Sequence, residues 1–305
     1  IYEMKEVKYS RARHGWGRVS PVKGMSVGSM RRLLRGTVCD GVYVDIDIEN
    51  AHPVILNQVL TSNGLNFSRL KMYVEERESV LKNTIEYYGL KDDEDNSARD
   101  KAKQLYLRLM YLGDIDEWLC ENKTGEKGYY TFALEFKTEM DSIASKICEA
   151  NKALVSVWRN KQKEPGFNKK KESVVMSYWC QELERRCLET MVETIDEKYR
   201  HNLVLCYDGM MIPVELFDDL LMLTMQKNIR EKLGLSVRIT KKEFKTYDVS
   251  GFEPLNIGYE WVKEKIERED GLCWVRDVKS YFFRDSKGVV SPFTEAQLKA
   301  EYRVQ

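Results

Sequence analysis

The sequence predicts an α+β fold, a small antiparallel sheet whose strands are separated by a long helical insertion, with a small C-terminal appendage. Three observations lead there. The stretch "VYVDIDIENAHPVIL" at 42–56 alternates like a strand and then halts at Asn-Ala-His-Pro, a helix start. The stretch "HNLVLCYDGMMIPVE" at 201–215 sets two apolar runs around Asp-Gly, a strong hairpin signal. Between the two, the pattern is helical almost throughout.

In chain order, Val42, Val44 and Ile46 alternate with Tyr43, Asp45 and Asp47, and Pro53 follows near the start of a helix. Residues 68–90 and 97–113 read as helices parted by the acidic "KDDEDN". A helical zone covers 130–158. Residues 172–198 form the clearest amphipathic helix, with Val175, Trp179, Leu183, Leu188, Met191 and Ile195 near helical spacing. After the hairpin come a helix at about 215–233 and a strand at 235–245. Residues 258–305 read as a short helix, an aromatic hairpin and the start of another helix. One large domain is expected, with 1–60 and 200–250 sharing the sheet, 61–199 supplying the helices and 251–305 appended. Ile1 at the start and an open helical pattern at Gln305 are what a segment of a longer protein would present.

Composition narrows the function. At 43% hydrophobic and 32% charged the chain is ordinarily globular. No apolar run approaches the roughly 20 residues of a bilayer span. Seven scattered cysteines, odd in number and without a C-x-x-C pair, argue against a disulfide framework and a zinc ribbon, and for a reducing compartment. Three histidines are too few for a histidine cage. A metal would be held by carboxylates, which points to a hard cation such as Mg²⁺. Net charge is zero but uneven: residues 1–36 hold nine Lys/Arg against Glu3 and Glu6, and "RNKQKEPGFNKKK" at 159–171 holds six against Glu164. Such stretches form either a phosphate-binding track or solvated loops.

On a strand Asp45 and Asp47 face the same way, and two carboxylates on one face repel unless a cation lies between them. They are a metal site or one solvated face. Asp208 in the hairpin is a second candidate, or simply a favoured turn residue. In "RDKAKQLYLRLMYLG" at 99–113, Arg99, Lys103 and Tyr111 fall within about a third of a helix circumference. Two cations and an aromatic there suit a triphosphate and a base, or an ordinary exposed helix face.

Taken together these motifs resemble family A DNA polymerases and single-subunit phage-type RNA polymerases. "VDIDIENAHP" looks like their motif A, "R-x3-K-x7-Y-L-G" at 99–113 like motif B, and "CYDG" at 206–209 like motif C. Leu112 separates Tyr111 from Gly113 where the family has Tyr-Gly. Tyr207 replaces its His, and Gly209 its acidic or hydroxyl residue. "DIENAHPVIL" and "SVVMSYWCQELE" are most similar to the TV-Pol group of transposon and virophage polymerases. The resemblance covers roughly 15–245 and implies a polymerase palm with helical fingers.

It further implies a DNA-directed DNA polymerase working on a DNA primer-template with dNTPs and two Mg²⁺, Mn²⁺ substituting. The chain would be joined to a superfamily 3 helicase and act in the cytoplasm, nucleus or viral replication factory of an infected cell. Asp47 and Asp208 would be the metal pair, with the Ile48 carbonyl as a backbone ligand and Asp45 supporting; a register shifted by two gives Asp45 the leading place. Arg99 and Lys103 would hold the triphosphate, Lys103 also serving as proton donor to pyrophosphate. Tyr111 would meet the nascent base pair, and His52 would crowd a ribose 2′-OH. Arg18, Arg32, Arg35, Gln181, Lys169 and Lys170 would touch nucleic acid. Two rivals remain: a primase or RNA polymerase starting chains de novo, and a non-catalytic nucleic-acid-binding module of a helicase. A nuclease is a distant third.

Overall fold

A computed structural model describes residues 7–23, 26–93, 96–247, 272–275, 280–284 and 290–293. The basic N-terminal stretch forms a hairpin of β1 (Lys8–Arg11) and β2 (Val19–Lys23), then helix α1 (Arg32–Cys39). Strand β3 (Tyr43–Ile48) runs into α2 (Ala51–Ser62), as the alternation predicts.

The predicted helix 68–90 is broken into α3 (Ser68–Glu75) and α4 (Arg77–Tyr88). The buried positions Leu70, Tyr73, Val80, Leu81, Thr84 and Tyr88 keep helical spacing through the break, so periodicity alone does not reveal it. Helix α5 (Ala98–Met110) is capped by the Ser97 hydroxyl, which accepts from the Asp100 amide at 3.1 Å. Its far end explains the extra Leu112. That residue takes a left-handed φ of 58°, and the Gly113 amide donates back to the Arg108 carbonyl at 2.9 Å, closing the helix.

Helix α6 (Ile115–Glu121) follows. The zone 130–158 divides into α7 (Thr131–Ala150) and α8 (Lys152–Lys161), parted at Asn151, whose side-chain amide donates to the Ile147 carbonyl at 2.8 Å. An Asn that bonds back to the preceding turn competes with helix continuation. Helix α9 (Lys171–Thr194) ends four residues short of the expected 198, in a 3₁₀ turn at Glu197–Asn202.

The hairpin comprises β4 (Val204–Cys206) and β5 (Gly209–Pro213), leading to α10 (Asp219–Leu233) and a short β6 (Ile239–Lys242). The sheet order is β4-β5-β3-β6, every neighbour antiparallel. Strands β7 (Leu272–Val275), β8 (Ser280–Arg284) and β9 (Val290–Phe293) form a separate antiparallel sheet where a single hairpin was expected. The expected helices near 258–271 and 294–305 lie outside the described residues.

Two cores hold the main body together. Behind the sheet, Val44, Ile46 and Ile48 pack on Ile55 of α2, on Cys187, Leu188 and Met191 of α9, and on Met225 and Ile229 of α10. Helices α3 to α8 enclose a second core around Tyr106, Trp118 and Phe136, to which α2 contributes Leu56 and Leu60, and α9 contributes Val175, Met176 and Cys180. Helices α2 and α9 therefore belong to both, so that 61–199 is not packed as one separate block.

The hairpin tip differs from expectation. Its central residues are Tyr207 and Asp208, with Tyr207 at a left-handed φ of 61°. Gly209 is already in β5, paired with Cys206 on one side and Asp47 on the other. A Cβ at 209 would overlap the Ile46 carbonyl and lie 2.8 Å from the Asp47 Cα. Glycine is needed for close backbone approach rather than for the turn. Gly209→Ala is therefore expected to destabilise the protein by about 1–3 kcal/mol or more, read as a lower midpoint in urea unfolding; an unchanged midpoint would contradict it.

Candidate active site

The close approach at Gly209 brings the two sequence-distant aspartates together. Asp47 is the penultimate residue of β3, and Asp208 closes the turn into the neighbouring strand. The Ile48 amide donates to the Asp208 carbonyl at 3.1 Å. Asp47, Ile48 and Asp208 all line one cavity of about 340 Å³, together with Arg18, His52, Arg77, Lys103, Glu184 and Lys242. Lys242 of β6 forms an ion pair with the Asp47 carboxylate.

Asp45 does not line that cavity. It sits two pairing positions back along β3, half-buried, where burial raises its pKa while Arg35, Lys242 and Arg32 oppose the rise. Arg32 and Arg35 thus serve Asp45 electrostatically, and Arg35 also donates to the Gly28 carbonyl at 3.4 Å.

A buried polar relay forms one wall. Glu184 on α9 is 1% exposed, and its two oxygens accept from Arg18 at 2.6 and 2.7 Å. His52 Nε2 lies 3.2 Å from the same carboxylate. The Tyr111 hydroxyl meets His52 Nδ1, so α5, α2, α9 and the N-terminal hairpin are joined through four side chains. Arg18 also covers the Tyr207 ring at 4.5 Å, which accounts for an aromatic at that strained turn position. Burial alone would raise the Glu184 pKa, but the hydrogen bonds and charges of Arg18 and His52 hold it below the ordinary carboxylate range. Asp208 moves the other way, raised by burial and then by the Glu184 charge.

The remaining candidates are divided. Lys103 is half-buried in the cavity. Arg99 is not among its walls; its guanidinium makes two hydrogen bonds to Glu78, at 2.9 and 2.6 Å, on the exposed side of α5. Arg and Lys four residues apart diverge because helix α4 supplies Glu78 beside one of them only. Tyr111, Gln181 and Lys169 line a different space of about 410 Å³, with Gln181 donating to Ser177 at 3.0 Å. Lys170 is exposed, just before α9.

Sequence reading did not single out Arg77, Asn50 or Lys242. From the sequence Glu184 shares a helix face with Gln181, either meeting the primer–template minor groove, as the resemblance implies, or solvated; the fold buries it instead. A signal for it existed: Cys180, Glu184 and Leu188 are each four apart, so the glutamate falls on the buried stripe of α9.

The donor set suits Mg²⁺. Two carboxylates and a backbone carbonyl are hard oxygen ligands, and Asp208 is a buried carboxylate that forms no ion pair among the described residues, though Arg18 and His52 act on it at longer range. Among the described residues no three His, Cys, Asp or Glu side chains assemble as a metal cluster, so a cation here would share its shell with substrate oxygens. No helix among them is long and apolar enough to cross a membrane, and Cys39, Cys120, Cys148, Cys180, Cys187 and Cys206 are free thiols.

Fold and cavity together define an α+β domain with a carboxylate pair and a cluster of cations around one cleft. No family model matches the chain. It is similar to a protein of Sputnik virophage named "Putative helicase V13", with 29% identity over 292 residues, covering 90% of this chain and 36% of that protein. The chain thus spans about a third of the length of the curated relative it matches.

Proposed function

We propose that this chain is a nucleic-acid-handling module of a helicase-linked replication protein from a virophage-type element, acting in an infected cell. Its similarity to the virophage protein named as a helicase supports this reading. So do the basic hairpin, the "FNKKK" stretch and the cation-lined cleft, which suit a phosphate backbone. Retention of labelled single-stranded and primer-template DNA on a filter, weakening steeply with salt, is the expected result. No binding at low salt would refute it.

A second, enzymatic reading is favoured by one observation: Asp47 of β3 and Asp208 of the adjacent β4–β5 turn, whose backbones are hydrogen-bonded through Ile48, open into the same cavity as Lys103. In that reading the module transfers nucleotides to a 3′ end. Bound Mg²⁺ ions would activate the 3′-hydroxyl and neutralise the leaving pyrophosphate. Asp47, Asp208 and the Ile48 carbonyl hold the cations, while Lys103 neutralises phosphate and donates a proton as pyrophosphate leaves. Gly209 leaves no room for a third acidic side chain. Incorporation of dNTPs on a primer-template in Mg²⁺, abolished by chelator, separates this reading from a binding module. Labelled rNTPs on unprimed single strands separate primed extension from de novo initiation.

His52 gives the enzymatic reading a finer test. The Tyr111 hydroxyl and Glu184 fix the ring in the first turn of α2, five residues beyond Asp47. His52→Gly is expected to lower discrimination against ribonucleotides by about 10–200-fold in the kcat/KM ratio. An unchanged ratio would place the selectivity elsewhere.

A further inference from the structure

The cavity is not closed at the end away from Asp208. A second cavity, of about 520 Å³, shares three of its walls, Glu49, Asn50 and Arg77. At this junction two side-chain donors are buried without a hydrogen-bond partner, Asn50 Nδ2 and Arg77 Nε. Asn50 is held there by an unusual backbone: it precedes α2 with a left-handed φ of 51°, and its side chain does not cap the helix. Arg77 opens α4 beside Tyr73 and makes no ion pair among the described residues.

The other cations around the cleft are committed. Arg18 belongs to Glu184, Lys242 to Asp47, and Arg99 to Glu78 outside both cavities. Lys103, like Arg77, forms no ion pair among the described residues. Burial first, and then the charge of Arg77, lower its pKa, so the two cations are close enough to repel. Two cations that make no ion pair among the described residues, with a buried orphan donor between helix starts, form an anion seat, although Asp100 and Asp208 act on Lys103 and Glu78 on Arg77 at longer range.

We propose that Arg77 and Lys103 bind the polyphosphate of a nucleoside triphosphate where the two cavities meet, with Asn50 as an additional donor. The proposal rests on the nucleotidyl-transfer reading and deepens it. The anion is polyphosphate rather than a single phosphate because the seat spans two cations on different helices. The planar guanidinium of Arg77 grips phosphate oxygens through two N–H groups, and Lys103 adds a point charge nearer the aspartates. Glu49, Glu75, Glu76 and Glu78 around the second cavity repel any polyanion, so the polyphosphate lies on the Lys103 side of Arg77.

The test is calorimetric titration of the intact chain with inorganic tripolyphosphate and, separately, with dATP. Arg77→Gln is expected to weaken both by at least about tenfold, Arg77→Lys to recover part of the loss, and Arg99→Gln to stay within about twofold. Melting curves accompany each variant; should Arg77→Gln fail to fold, Arg77→Lys decides, since it keeps the charge and loses only the fork. Wild-type affinity in Arg77→Gln, or an equal loss in Arg99→Gln, overturns the assignment, as does a wild-type protein that binds neither probe. A protein that binds both yet incorporates no nucleotide leaves the seat standing and removes the nucleotidyl-transfer reading instead.

Discussion

Replacing either Asp47 or Asp208 with alanine is expected to cut Mg²⁺-dependent primer extension at least about a thousandfold, on the order of 4 kcal/mol in barrier. One carboxylate comes from the end of β3 and the other from the two-residue β4–β5 turn, and the Ile48–Asp208 hydrogen bond ties the backbones of the two together. Removing one halves the proposed carboxylate pair, and among the described residues no third acidic side chain groups with it as a metal cluster; Glu184 in the same wall is committed to Arg18 and His52. Asp45→Asn is the control, because Asp45 sits among Arg32, Arg35 and Lys242 and does not line the cavity. Its effect should be far smaller on the same gel. If both alanine variants extend primers like wild type, the enzymatic reading fails. If wild type itself never incorporates, the binding-module reading is what remains.

The largest effect on stability is expected at Glu184. Its carboxylate is buried and answers the guanidinium of Arg18 through both oxygens, with His52 beside it. Glu184→Ala leaves Arg18 facing a cavity without its counter-charge. Breaking a buried pair in this way costs about 3–5 kcal/mol; the lower end applies because Arg18 keeps 31% of its side chain exposed. Urea unfolding measures it, and a loss below about 1 kcal/mol would show the relay to be incidental. The pH dependence has a definite sign. Arg18 and His52 depress the Glu184 pKa in the folded state against the opposing pull of burial. Its contribution is therefore present above the unfolded value of about 4.3 and disappears as pH falls through the lower folded value. Glu184→Gln should flatten the acid limb of the stability curve below about pH 4, and an identical limb in both proteins would contradict the assignment.

Much of the fold was readable before any coordinates. Alternation placed β3, apolar runs placed the β4–β5 hairpin, and 3.6-residue spacing placed α5, α9 and α10, because each signal is local and comes from which face is buried. Helix breaks at Glu76 and Asn151 escaped it, since the buried stripe continues across the first and no proline or glycine marks either. Asp47, Asp208, Lys103, His52 and Tyr111 were singled out by type and spacing, and the folded chain assembles them around one cleft and its wall.

The rest depended on contacts between residues far apart in sequence. Asp-Gly read as a turn pair, but Gly209 is required by the backbone of a strand more than a hundred residues upstream. Arg99 and Lys103 looked equivalent on one helix face until Glu78 of another helix occupied the first. Glu184 resembled a surface residue until Arg18 and His52 arrived to neutralise it. Residue type and period settle which faces are buried, because a strand or helix imposes them within a few residues. Which charges find partners, and which are left for a ligand, is settled only when separate elements pack, since an ion pair is a property of two positions and no local pattern encodes the second.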